Sequence, residues 1–126
     1  MKVLINGYIG GFGVSEAVLK KLLDNNSPLL IKQQIQDDDL DDFMLNSASY
    51  CIFVDVDNKC CYDFDRSNDK HRSDTLLIKI VEELGEAANG VHSRLKIVDI
   101  PDDVDWHIVE NNDGSEYVAE NHRTWR

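Results

Sequence analysis

The residues best suited to chemistry lie near the two ends of the chain. Gly7-Tyr8-Ile9-Gly10-Gly11-Phe12-Gly13-Val14-Ser15 places four glycines just ahead of a serine that suits a helix N-cap. A helix N-terminus has backbone N–H groups without intrahelical partners and the positive end of the helix dipole, so it favours an anion such as phosphate. Glycines there let a ligand approach the backbone closely. The spacing belongs to neither familiar phosphate motif. Glu16 stands where the dinucleotide fingerprint would put its third glycine, and no Lys-Ser/Thr pair completes a P-loop. Two readings of Gly10, Gly11 and Gly13 therefore stay open, a ligand contact or a tight turn that needs positive φ. At the other end, His122-Arg123-Thr124-Trp125-Arg126 closes an acidic chain with an indole and two guanidiniums. An indole stacks a nucleobase and a guanidinium forks a phosphate. A tail that docks Trp125 into the core or a neighbouring subunit is the alternative.

Other constellations carry less. Asp55 and Asp57 follow an apolar run, as do the paired carboxylates of haloacid-dehalogenase-type phosphatases, but Lys59 occupies the position of the expected threonine or valine. Asp55, Asp57, Asp63 and Asp65 would need a hairpin to bring them together, and no glycine-centred oxygen-ligand loop accompanies them. Cys60 and Cys61 are neighbours, so in a strand they point to opposite faces and at least one belongs to the core. His71, His92, His107 and His122 are scattered singly, and no nucleophile elbow or His-Glu-x-x-His pattern is present. The expectation is no catalytic centre, no metal and no cofactor.

These groups need elements to hold them. Residues 2–6 read as a short buried strand stopped by Gly7, and Ser15 opens a helix with Val18, Leu19, Leu22 and Leu23 on one stripe, ending at Asn25-Asn26. A weak strand over 29–36 runs into Asp37-Asp38-Asp39-Leu40-Asp41-Asp42, a self-repelling block expected as an exposed loop or helix start. Residues 49–57 alternate as a strand, with 59–65 as the hairpin partner across Asp57-Asn58. Residues 66–72 lack an apolar anchor and read as a mobile polar loop. Ser73 or Asp74 caps a second helix bearing Leu77, Ile78, Val81 and Leu84, with Asn89-Gly90 as its left-handed stop. Strands are expected over 95–100 and 104–109, then a turn at Asn112-Asp113-Gly114 and a last strand over 116–119. The expected fold is α+β, a single small domain over residues 1–126, with mostly antiparallel sheet and two helices.

Composition bounds the function. The 126 residues are 42% hydrophobic and 29% charged, the balance of a globular domain, and carry a formal charge of −11. That charge repels phosphate backbones, so direct nucleic-acid binding is disfavoured. No apolar run approaches the ~20 residues of a membrane span. Three cysteines, two of them adjacent, argue against a secreted disulfide framework and for a reducing, cytoplasmic compartment.

Both ends carry a resemblance. Residues 1–16, opening MKVLINGYIGGFGVS, and residues 72–126, with Arg72-Ser73-Asp74, Glu82-Glu83-Leu84-Gly85, Asn89-Gly90, Leu95-Lys96-Ile97-Val98-Asp99-Ile100-Pro101-Asp102, Val104-Asp105-Trp106 and Glu120-Asn121-His122-Arg123-Thr124-Trp125, resemble a family of small phage and prophage proteins of unassigned function. Small phage proteins often counter host defences, and one class sequesters cyclic or ADP-ribose-type nucleotide signals in oligomeric pockets. By that analogy the resemblance implies a homo-oligomer in the host cytoplasm that binds a small nucleotide-like immune signal without turning it over. Backbone N–H groups at Gly10, Gly11 and Gly13 would hold phosphate, Arg72, Arg94 or Arg123 would neutralise it, and Phe12, Trp106 or Trp125 would stack the base beside His122. The alternative is an acidic inhibitor that uses Asp37–Asp42 to mimic nucleic acid on a host defence protein. A nucleotide-processing enzyme comes third.

Overall fold

Val3, Leu4 and Ile5 are all buried in the first strand, β1 (Lys2–Asn6). The computed structural model describes residues 1–39, 41 and 52–120. After β1 come α1 (Glu16–Asp24), β2 (Leu30–Gln34), β3 (Phe53–Asp55), β4 (Cys60–Phe64), α2 (Thr75–Leu84), β5 (Leu95–Asp99), β6 (Trp106–Glu110) and β7 (Glu116–Glu120). Short 3-10 turns occupy Asp37–Asp39, Asp69–Ser73 and Gly85–Ala88. Every strand pairing among the described residues is antiparallel: β1 with β5, β2–β4–β3 as a three-stranded sheet, and β6 with β7. Among the described residues the fold is α+β, with the two α-helices that the sequence predicts.

Successive side chains of a strand point to opposite faces, and β1 uses both. Leu4 enters a core shared with Val18, Leu19 and Leu22 of α1 and Leu77, Ile78, Ile80 and Val81 of α2. Val3 and Ile5 enter a second core around Trp106 of β6. A strand buried on both faces shows an unbroken apolar run and no alternation, which is the pattern of residues 3–5. Each fully buried leucine contributes about 1.5–3 kcal/mol of transfer free energy, so the helix stripes hold the layers together.

The helix ends follow local chemistry. Ser15 Oγ accepts the Val18 N–H at 3.4 Å and Asp74 Oδ1 accepts the Leu77 N–H at 3.0 Å, so both N-caps are satisfied by side chains. The second helix stops earlier than Asn89-Gly90: Gly85 is the left-handed residue, at φ 58°, whereas Asn89 is extended at φ −64°. Asn89 instead accepts the Leu95 N–H with its side-chain oxygen at 2.8 Å, fixing the entry to β5.

The segment expected as a mobile polar loop is structured. Asp69–Ser73 forms a 3-10 turn whose Asp69 carboxylate accepts the Ile108 N–H at 3.0 Å, while Lys70 Nζ donates to the Trp106 carbonyl at 3.0 Å. Its anchors are polar, so hydrophobic periodicity carries no sign of them. In the middle of the chain, β3 and β4 form the expected hairpin, turning through Val56–Lys59 with Lys59 at φ 50°. Cys60 and Cys61 are both buried free thiols, and desolvation pushes the Cys61 thiol up. Asp37–Asp39 are exposed, with Asp37 paired to Lys59. Leu40, Asp42 and the expected strand start at 49–51 lie outside the described residues.

Candidate functional site

The loop that leaves β1 is held by a buried polar hub. Asn6 is fully buried at the strand end. Its Nδ2 donates to the Tyr8 carbonyl at 2.6 Å and the Gly114 carbonyl at 3.0 Å, and its Oδ1 accepts the Arg94 N–H at 3.0 Å. Its own backbone N–H donates to Glu116 Oε1 at 2.8 Å. That carboxylate also takes a bidentate pair from Arg72, at 2.9 and 3.2 Å, and Arg72 donates once more to the Leu4 carbonyl at 3.3 Å. Arg72 and Glu116 are 6% and 7% exposed, so each charge depends on the other for compensation. The hub thus ties β1, the 69–73 turn and β7 together beneath the glycine loop.

Glycine is required at several contacts of this loop for a measurable reason. A Cβ on Gly10, which sits at φ 110°, would fall 2.3 Å from the His92 carbonyl oxygen; one on Gly114, at φ 91°, would fall 2.3 Å from the Gly11 nitrogen. Gly10 also donates its N–H to the Asp113 carbonyl at 2.8 Å, pinning the loop to the tip of the β6–β7 hairpin. Gly13 is different. No atom lies within 4 Å of a Cβ built there, and its carbonyl accepts the Gly90 N–H and the Ser93 hydroxyl at 3.2 and 2.6 Å. The N–H groups of Phe12 and Gly13 have no acceptor among the described residues. Gly10 therefore serves the turn, while the Phe12–Gly13 segment keeps backbone donors to offer.

All three described arginines lie against the two aromatic rings of this loop. The Arg72 guanidinium carbon is 3.3 Å from the Phe12 ring centroid, Arg66 is 6.0 Å from the same ring, and Arg94 is 4.5 Å from the Tyr8 ring. Such contacts favour both partners by about 0.5–2 kcal/mol. Arg66 and Arg94 make no ion pair with any described residue, unlike Arg72. Three cavities open around Gly10. One of about 220 Å³ is bounded by Gly11, Phe12, Gly13, Asp63, Arg66 and His92. A more open groove of about 580 Å³ lies between Tyr8, Ile9, Val91, His92, Arg94 and Asp113. A third, about 360 Å³, is lined by Arg66, Arg72, Asp69, Glu110 and Glu116.

The expected ligand set is thus partly assembled. Gly10, Gly11, Phe12 and Gly13 line the first cavity, Arg94 lines the second, and Arg72 reaches the third with its charge already matched by Glu116. Trp106 is not beside them: its indole is buried with Val3 and Ile5, and Lys70 Nζ sits 4.0 Å from the ring centroid. His122, Arg123 and Trp125 lie outside the described residues. Sequence reasoning missed Tyr8, Arg66 and His92. Tyr8 was legible as an aromatic inside the glycine run, but Arg66 and His92 reach the loop only through tertiary contacts. Among the described residues no group of three or more His, Cys, Asp or Glu could hold a metal, and no helix is long and apolar enough to cross a membrane.

The hairpin tip has a titratable stop. Ser115 donates to Asp113 Oδ1 from its hydroxyl at 2.6 Å and its N–H at 3.0 Å, and these bonds hold the Asp113 carboxyl below its ordinary value. A carboxyl whose folded pKa is lowered contributes stability that is complete above the ordinary carboxylate range and disappears as pH falls through the folded value. Ser115→Ala is therefore expected to move the Asp113 midpoint up towards that of a free aspartate in an NMR titration, and to flatten the acid-side loss of stability. No known protein family matches the chain, and no curated protein or solved structure is detectably similar to it.

Proposed function

We propose that this protein binds a small nucleotide-like ligand at the Gly10–Gly13 loop and releases it unchanged. The observation that carries this reading is the placement of Arg66 and Arg94. In a chain with 24 acidic and 13 basic side chains, these two guanidiniums lack carboxylate partners among the described residues, and both face cavities at the same loop. Arg66 and Arg94 neutralise phosphate, the Phe12 and Gly13 N–H groups donate to its oxygens, and the half-exposed Tyr8 ring supplies a stacking face. The phage resemblance makes a nucleotide signal of host defence the first ligand class to examine and favours a homo-oligomeric assembly, which light scattering tests.

A charge-assisted hydrogen bond is worth about 1.5–3 kcal/mol, so Arg94→Ala or Arg66→Ala should weaken adenine-nucleotide binding roughly tenfold or more in calorimetry. Both side chains are exposed, so losing their ring contacts should lower the unfolding free energy by no more than about 1 kcal/mol. Unchanged affinity in both variants would refute the site. Recovery of a chemically altered nucleotide after incubation would refute binding without turnover. The acidic-inhibitor reading keeps one observation, the exposure of Asp37–Asp39. It expects asparagine at these positions to abolish activity, whereas ligand binding at the loop expects no change.

A further inference from the structure

An asparagine followed by glycine is the pair most open to deamidation, because no Cβ shields the backbone nitrogen that attacks the side-chain amide. Among the chain's asparagines only Asn6 and Asn89 stand before glycine. The fold closes the first pair on every side. The Gly7 N–H donates to the Arg94 carbonyl at 2.8 Å, so the attacking nitrogen is occupied. The Asn6 amide is held between the Tyr8 and Gly114 carbonyls and the Tyr8 and Arg94 N–H groups, and the residue has no exposure to solvent. Asn89 is partly exposed, and its side chain is held through Oδ1, which accepts the Leu95 N–H at 2.8 Å.

We infer that Asn6-Gly7 is a concealed modification site: deamidation there follows opening of the buried hub and bars the chain from folding again. In the opened chain the Gly7 nitrogen loses its proton and bonds to Asn6 Cγ, and the side-chain nitrogen leaves as ammonia. Water then breaks one C–N bond of the cyclic imide, giving aspartate or its backbone-shifted isomer. The net change is amide plus water to carboxylate plus ammonium. Neither product fits the hub. A carboxylate only accepts, so the Tyr8 and Gly114 carbonyls, 2.6 and 3.0 Å from the lost Nδ2, would face oxygen in place of a donor. A protonated acid would serve only one of the two. The new charge would also be fully buried, beside a Glu116 carboxylate already matched to Arg72. The isomer lengthens the main chain at the end of β1, where Asn6 is in register with Leu95. Asn89 differs, because aspartate there still accepts the Leu95 N–H. The chemistry needs no ligand, but Tyr8 and Arg94 are positioned by Asn6, so the conversion removes the proposed binding loop as well.

Incubating the full chain in mildly alkaline buffer, with and without urea, and reading both sites by peptide mass spectrometry tests the inference. In urea the two Asn-Gly pairs should convert at similar rates, whereas in buffer Asn6 should convert about a hundredfold more slowly or less. After dilution from urea, size-exclusion chromatography should leave chains converted at Asn6 out of the native fraction and recover in it the aspartyl chains converted at Asn89 alone. The Asn6→Asp variant examines the product directly. Its circular dichroism should show no cooperative unfolding, while Asn89→Asp should unfold cooperatively near the parent midpoint. Equal rates of Asn6 conversion in buffer and in urea would overturn the concealment. Chains converted at Asn6 found in the native fraction in the proportion formed, or a cooperative transition in Asn6→Asp, would overturn the block on refolding.

Discussion

Glu116→Ala is expected to destabilise the domain by about 3–5 kcal/mol, because it leaves the Arg72 guanidinium buried without its counter-charge. Arg72 keeps only a long bond to the Leu4 carbonyl and its contact with the Phe12 ring, and the Asn6 N–H loses its acceptor as well. At a few degrees per kcal/mol for a domain of this size, the thermal midpoint should fall by more than about 10 °C. The pair is a poor source of net stability even so, since desolvation offsets most of its attraction. Substituting both partners by apolar residues of similar size, Arg72→Met with Glu116→Leu, should recover much of the loss. A urea denaturation series on the two single variants and the double variant gives the coupling directly. A cost below about 1 kcal/mol for Glu116→Ala would mean that solvent and not Glu116 stabilises the guanidinium.

Gly114→Ala should be comparably damaging for a different reason. The new methyl would lie 2.3 Å from the Gly11 nitrogen and 2.9 Å from its Cα, both backbone atoms, at a residue whose φ of 91° is already unfavourable for a side chain. Left-handed strain and overpacking each cost about 1–3 kcal/mol, so a combined loss of about 2–5 kcal/mol is expected, with the hairpin tip driven off the loop. The Gly10 N–H bond to Asp113 would go with it. Gly13→Ala is the control. Its methyl meets nothing within 4 Å and φ there needs no glycine, so stability should change by less than about 0.5 kcal/mol. Loss of nucleotide binding by Gly13→Ala with an intact fold would locate the ligand at the loop, and unimpaired binding would exclude the Phe12–Gly13 backbone from the contact.

Most of the elements were legible because their signals are local. The β1 run, the Ser15 and Asp74 caps, the two leucine-rich stripes and the 53–64 hairpin all depend on residues within a few positions of one another. The 69–73 turn was not legible, because Arg72 finds Glu116 44 residues away in sequence and polar partners leave no periodicity. The end of the second helix was misplaced by a competing signal: Asn89-Gly90 is a common left-handed pair, but Gly85 reaches positive φ first, and Asn89 is used as a side-chain acceptor. Trp106 was read as a stacking face because tryptophan serves both cores and ligands. Only its placement against Val3 and Ile5 shows it to be core.

The glycine loop divides in the same way. From residue types alone, it is a strand-to-helix turn, rich in glycine, outside both known phosphate motifs, and placed where a helix begins. These properties depend on neighbours in sequence, and the amino-acid order determines them. Which glycines are there to admit another backbone, which arginines reach the loop and which of those are already neutralised were decided only by folding. His92, Asp113, Glu116 and Arg66 are remote in the chain and come to Gly10–Gly13 through β5, the β6–β7 hairpin and the turn after β4. Their contacts depend on the packing of layers, and no local pattern of residue types encodes that distance.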